Sequence, residues 1–332
     1  MSKVWLSNVR ENDDNYKWSE LNCFYKVFAI SLGSFDKKYF DYFLMYISAY
    51  LLYRLKGNEQ LTLDSGDCVL EYYKQELQPI FGNVISKKDF TGYRAFVKKM
   101  RNTLNDGKVI ILPCDLYYLP YSKNYLELHK RHYVIVKGMD ISKGIVYILD
   151  NMHIDFGAST IYKDFVIDIR VLYDMTVSFR YIFENFSNNY FFWSIDNQKN
   201  EQFENYNYTY FLKLKEFIWD NCEYMEIDDI KIDMEHYLEY ANLRVVFFNS
   251  LINLAKNNEQ KKMLNEALTE WNKVKYEIGI RDLATVKEKV LKNIELEKNC
   301  IRQLDIVEEN IKINNSFEAF RYFGKFIANE AQ

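Results

Sequence analysis

The rhythm of apolar and polar positions changes along the chain. In its second half, MEHYLEYANLRVVFFNSLINLA and EQKKMLNEALTEWNKVKYEI place apolar residues at i, i+3, i+4 and i+7, the mark of an amphipathic helix. DLATVKEKVLKNIELEKNCIRQLDIVEENI repeats the pattern and carries Glu–Lys pairs four apart, which suit a solvated helix face. The spacing predicts three or four helices packed as a bundle or hairpin. In the first half, CFYKVFAISLG and YFDYFLMYISAYLLYRLKG read as helices that end at glycine, the residue least strained at a helix C-terminus. KVIILPCD, HYVIVKGMD and IVYILDNM are short β-branched runs bounded by Gly, Pro and Asp, and predict strands. Helices first and adjacent antiparallel strands afterwards make an α+β order rather than alternating βαβ units.

Punctuation agrees with this division. Pro79, Pro113 and Pro120 are the only prolines, and no glycine occurs between Gly157 and Gly279. A turn-rich mixed half is therefore followed by one free to be helical. The expected boundary gives a catalytic domain over residues 1–164 and a mostly helical domain over 165–332 that covers or shapes the site. Charge follows the same line: 22 Lys and Arg against 19 Asp and Glu up to residue 164, then 21 against 28. The second half is an acidic helical module whose acidic residues read as a solvated face.

The net charge of −4 implies no general affinity for nucleic acid or membranes. The longest uncharged apolar run, Tyr42 to Tyr53, is too short to cross a bilayer, and MSKVWLSNVRENDD is too polar for a signal peptide. Five cysteines spread over positions 23, 68, 114, 222 and 300 do not form a disulfide framework, so a cytoplasmic protein with reduced thiols is expected.

Chemistry concentrates in RHYVIVKGMDISKGIVYILDNM. GMDISKG is a turn, so the start of the first strand, His132, and the end of the second, Asp150, meet at one end of a sheet. A carboxylate beside an imidazole fixes its tautomer and stabilises the imidazolium. Cys23 opens a helix, where the dipole and a nearby imidazolium favour a thiolate and where backbone N–H groups, that of Cys23 included, can hold an oxyanion. Cys23, His132 and Asp150 then compose a nucleophilic triad for acyl transfer.

The remaining candidates fit less well. Cys114 follows a strand but lacks a helix N-terminus, and Cys68, Cys222 and Cys300 have no supporting context. His129 lies in polar sequence, His153 follows the triad Asp, and His236 belongs to a helix face. Asp140 sits in a turn, its ordinary role, and Asp155 is further along. No HExxH or CxxC accompanies HKRH, so no metal site is expected. Tyr117, Tyr118 and Tyr121 in LYYLPY are candidates for a substrate groove. Lys87, Lys88, Arg94, Lys98, Lys99 and Arg101 read as a solvated helix face, or as a dock for an acidic partner. No glycine-rich phosphate loop appears, which argues against an ATP-dependent ligase.

A cysteine opening a helix, followed much later by His-aromatic-Val-x-Val, a turn and a strand ending in Asp, resembles the papain-like cysteine fold and the layout of bacteriocin-processing peptidases. CDLYYLPYSKNYLELHKRHYVIVKGMD resembles, more specifically, the N-terminal domain family of the butirosin-biosynthesis acyltransferases, which has an Asp-x-Tyr-x-x-x-Tyr region shortly before the catalytic His. The resemblance covers roughly residues 15–155. It implies amide formation in antibiotic or other secondary metabolism. The cysteine takes an acyl or peptidyl group from a phosphopantetheine thioester on a carrier protein and passes it to a small amine, with no cofactor bound by the enzyme itself. Papain-like peptidases place an oxyanion-donating Gln six residues before the nucleophile, where this chain has Lys17; Lys17 or Asn22 would have to substitute. That departure counts against a cysteine peptidase more than against a transferase. A thioesterase with the same triad, or a non-catalytic binding protein, is also compatible with these residues.

Overall fold

The computed structural model describes residues 3–10, 23–56, 70, 73–151, 162–184, 190–197, 234–255 and 258–303. A short strand β1 (Lys3–Trp5) precedes helices α1 (Cys23–Gly33) and α2 (Lys37–Lys56). A π-helical turn (Tyr73–Leu77) leads into the one-turn α3 (Gln78–Phe81), then β2 (Asn83–Phe90), α4 (Tyr93–Asn105) and β3 (Val109–Asp115). The hairpin β4 (Arg131–Asp140) and β5 (Ile145–Asn151) follows, then β6 (Tyr162–Asp168), α5 (Ile169–Phe183) and β7 (Tyr190–Asn197). Helices α6 (Met234–Leu254), α7 (Asn258–Ile278) and α8 (Leu283–Gln303) complete the described chain. The class is α+β, an antiparallel sheet with helices and a helical C-terminal region, as the order of patterns predicts.

The sheet runs β2-β7-β3-β4-β5-β6, with β1 added to the far end of β4. It reaches beyond residue 164, because β6 continues to Asp168 and β7 inserts between β2 and β3. Every residue of β3 is buried, which explains its unbroken apolar run. Pro113 is tolerated in this central strand because β7 pairs only with Val109–Ile111 and leaves Pro113 past the end of that ladder. Gly138 lies at the β4 bulge, where a Cβ would stand 2.7 Å from the Val4 carbonyl of β1. Close backbone approach there requires glycine.

Helix α1 carries a nearly continuous buried run from Phe24 to Leu32 and packs on α2, β3 and β4. The amphipathic α4 buries Phe96, Met100, Thr103 and Leu104. Lys87 and Lys88 lie on β2, not on a helix face, whereas Arg94, Lys98, Lys99 and Arg101 belong to α4. The helical region packs α6 against α7 and α7 against α8, and α6 against α2, where Asn253 donates to Asp41 at 2.9 Å. Its α7 stripe is Leu264, Ala267, Trp271, Val274 and Ile278, and a buried Arg244–Glu297 pair at 3.1 Å links α6 to α8. Burial raises the Glu297 carboxyl, against the opposing pull of Arg244 and Trp271. Among the described residues no helix is long and apolar enough to cross a membrane.

Candidate active site

The β4–β5 ladder sets the first part of the geometry. Ile135 pairs with Leu149, so by extension of that register Val134 opposes Asp150 and His132 lies diagonally from Asp150 on the same face of the sheet. A histidine can span that diagonal. Its Nε2 stands 2.7 Å from Asp150 Oδ1. Both groups are withdrawn from solvent, His132 3% exposed and Asp150 0%.

The second part is set by α1. Phe24 stacks edge-on against Tyr133 of β4 at 4.9 Å and against Trp193 of β7 at 5.6 Å. These contacts pin the start of α1 to the sheet, one residue from Cys23 on one side and one residue from His132 on the other. Cys23 is partly exposed and lies close enough to the His132 ring to help hold its proton. Cys23 is the first described residue of α1.

The electrostatics follow from burial and from these two partners. Burial pulls the His132 imidazolium down, but the charge and hydrogen bond of Asp150, with those of Cys23, outweigh it and push His132 up to about 10. Asp150 Oδ2 accepts a 2.7 Å hydrogen bond from Tyr121. Tyr162 on β6 is buried beside the site; burial, then the charges of Asp150 and Cys23, push its hydroxyl well above the ordinary tyrosine range. Cys114 is directly opposite His132 in the β3–β4 ladder. It is fully buried, and burial followed by the charges of Asp150, Cys23 and Asp115 holds its thiol well above the usual range. Cys114 is therefore a buried, neutral thiol beside His132.

The tyrosines of LYYLPY separate. Tyr121 stacks on Phe165 at 3.9 Å and reaches Asp150. Tyr117 stacks on His129 at 4.4 Å, and Tyr118 points out, 37% exposed. His129 does not join His132 but pairs with the buried Asp115, Nδ1 to Oδ2 at 2.6 Å. Asp140 accepts from the Ser142 backbone and hydroxyl, the turn role its sequence context indicates. Cys300 is buried on α8, and His236 falls on α6. Lys17, Asn22, Cys68, Cys222, His153 and Asp155 lie outside the described residues. Among the described residues no group of three or more His, Cys, Asp or Glu side chains could hold a metal ion. Sequence reasoning missed Tyr162, which sits on a strand whose alternation YKDFVID is too polar to stand out, and the reach of Tyr121 to a carboxylate 29 residues away.

No curated protein matches the chain. A family match covers His132, Asp150 and the Asp115–Tyr121 stretch but begins after Cys23. Over residues 49–151 the chain is similar to the family described as butirosin biosynthesis protein H, N-terminal, which bears out the resemblance read from the sequence around the histidine.

Proposed function

We propose that this protein is a cysteine-dependent acyltransferase that forms amide bonds in antibiotic or related biosynthesis, on a papain-like arrangement of helix and sheet. The observation that carries the reading is the clustering of a partly exposed thiol on α1, a buried imidazole and a buried carboxylate, the last two hydrogen-bonded. Its family likeness, to a protein named for butirosin biosynthesis, supports the acyl-transfer class.

In this mechanism His132 Nδ1 takes the Cys23 proton, and Sγ attacks the carbonyl of an acyl thioester carried on a phosphopantetheine arm. The tetrahedral oxyanion is held by N–H groups at the start of α1, that of Cys23 among them. Collapse breaks the carbon–sulfur bond to the arm, whose thiol leaves with the proton from His132, and the acyl group remains on Cys23. A neutral amine then attacks the acyl-enzyme and gives its proton to His132. The C–N bond forms, the C–Sγ bond breaks, and Cys23 recovers the proton. Asp150 supports the imidazolium at both stages without accepting a proton itself. The activated acyl group brings its driving force in the thioester, so no cofactor is required of the enzyme. The partners are an acyl or peptidyl carrier protein and a small amine.

Intact-protein mass spectrometry with an acyl pantetheine thioester tests this reading. The wild type should gain the acyl mass on Cys23 and lose it to added amine as an amide, while Cys23→Ala gains none. Release of free acid at the same rate with and without amine would instead assign a thioesterase or peptidase. Full product formation by Cys23→Ala would make the protein non-catalytic.

A further inference from the structure

Asp150 receives more than the histidine. Its Oδ2 takes the Tyr121 hydroxyl at 2.7 Å while Oδ1 takes His132 Nε2 at the same distance. We propose that Tyr121 is a positioning residue of this site: it clamps the second oxygen of Asp150 so that the first stays turned to His132. The inference rests on the acyltransferase reading only for Cys23 as the nucleophile.

Tyr121 is held from two directions. Its ring lies flat on Phe165 of β6, 3.9 Å between centroids and 8° between planes. The loop that carries it is closed at its base by Asp115, whose Oδ1 accepts from the Tyr117 and Lys130 backbones at 3.1 and 3.2 Å. Asp115 Oδ2 accepts Ser178 Oγ at 2.7 Å and binds His129 Nδ1, which ties the loop to α5. A fixed loop delivers a fixed phenol.

The chemistry gives the phenol a role beyond filling space. An ionised carboxylate offers only acceptors, and a neutral phenol can donate to it. Burial, then the Asp150 charge, hold the Tyr121 hydroxyl far above its ordinary range, so it remains a donor at every working pH. Among the described residues, those that face Asp150 include His132 from β4, Tyr121 from the loop, Tyr162 from β6, Cys114 from β3 and Cys23 from α1. Of these, His132 and Tyr121 hydrogen-bond its two oxygens. Removing the Tyr121 donor makes the buried charge less favourable, so Asp150 supports the imidazolium less well. The thiolate–imidazolium pair then forms over a narrower range of pH.

Iodoacetamide alkylation of Cys23, followed by mass spectrometry from pH 4 to 10, needs no acyl donor and reads this pair directly. Tyr121→Phe keeps the ring on Phe165, and its fold is checked by thermal melting. The acid edge of the alkylation profile should move to higher pH, cutting the rate at pH 6 by about tenfold, the scale of one hydrogen bond to a charged group. With an acyl thioester, kcat for acylation should fall by a similar factor with KM unchanged. A merely structural tyrosine would lower the melting temperature and leave the edge where it is. A folded Tyr121→Phe whose profile superimposes on the wild type overturns the proposal. If that variant fails to fold, Asp115→Asn, which loosens the loop at its base, carries the test: an unmoved edge in the folded protein overturns the proposal equally. If wild-type Cys23 reacts no faster at pH 6 than the buried Cys114 and Cys300, the acyltransferase reading falls first and takes this inference with it.

Discussion

Two buried carboxylates in this protein each hold a histidine at nearly the same distance, yet the surroundings of the two pairs differ. Asp150 and His132 are 2.7 Å apart; Asp115 and His129 are 2.6 Å apart. The His132 side chain is 3% exposed and the His129 side chain 40%. His132 has the Cys23 thiol nearby, whereas His129 lies against the Tyr117 ring. Asp150 turns its second oxygen to a tyrosine. Asp115 turns its remaining acceptor capacity to Ser178 and two backbone N–H groups, which fasten a loop. An Asp–His contact therefore says little by itself. What surrounds the pair, and what the imidazole meets next, separates a relay from a clamp.

The largest expected contrast is kinetic. His132→Ala should lower the rate of Cys23 acylation by on the order of 10²–10⁴-fold, the usual size of a general acid–base contribution. His129→Ala should change it by less than about threefold, as expected for a partly exposed residue away from the reacting atoms. Burst-phase mass spectrometry of both variants measures the difference, and equal losses would erase the distinction drawn between the pairs.

Stability should show the opposite order for the carboxylates' loop role. Asp115→Asn puts an amide N–H₂ where one carboxylate oxygen accepts two donors, so one or more of its buried hydrogen bonds is lost. Chemical denaturation should give a loss of about 1–3 kcal/mol. If acylation falls as far as in His132→Ala while stability is unchanged, Asp115 belongs to the chemistry and not to the scaffold.

The smallest effect is linked to pH. His132 binds its proton more tightly in the folded state, at about 10, than at its ordinary 6.5. The stability this contributes is fully present below about pH 6.5 and is lost as pH rises through about 10. The melting-temperature difference between wild type and His132→Gln should shrink steadily across that interval.

Much of the frame is legible in the residues. The i, i+3, i+4 spacing marks α6, α7 and α8, glycine closes α1, and the β-branched runs mark β3, β4 and β5. The turn between β4 and β5 is enough to bring His132 to Asp150, because hairpin pairing is local and its register follows from the strands it joins. Four strands are not legible in this way, the three-residue β1 being too short to show a period. NVISKKDF and YKDFVID are diluted by charged residues, and YFFWSIDN lies far along the chain from its partners. That β7 enters the sheet between β2 and β3 is a non-local pairing that no window of sequence specifies.

The class of the fold and the imidazole–carboxylate couple are both written in the residues, because each follows from a local period or a single turn. Which histidine meets the thiol, which tyrosine meets the carboxylate, and that Cys114 is walled in emerge only in the folded chain. Those outcomes depend on packing between elements remote in sequence: Phe24 against Tyr133 and Trp193, Tyr121 on Phe165, and the β3–β4 register that seats Cys114 opposite His132. Local pattern sets what each residue can do; contacts across the sheet set what it touches.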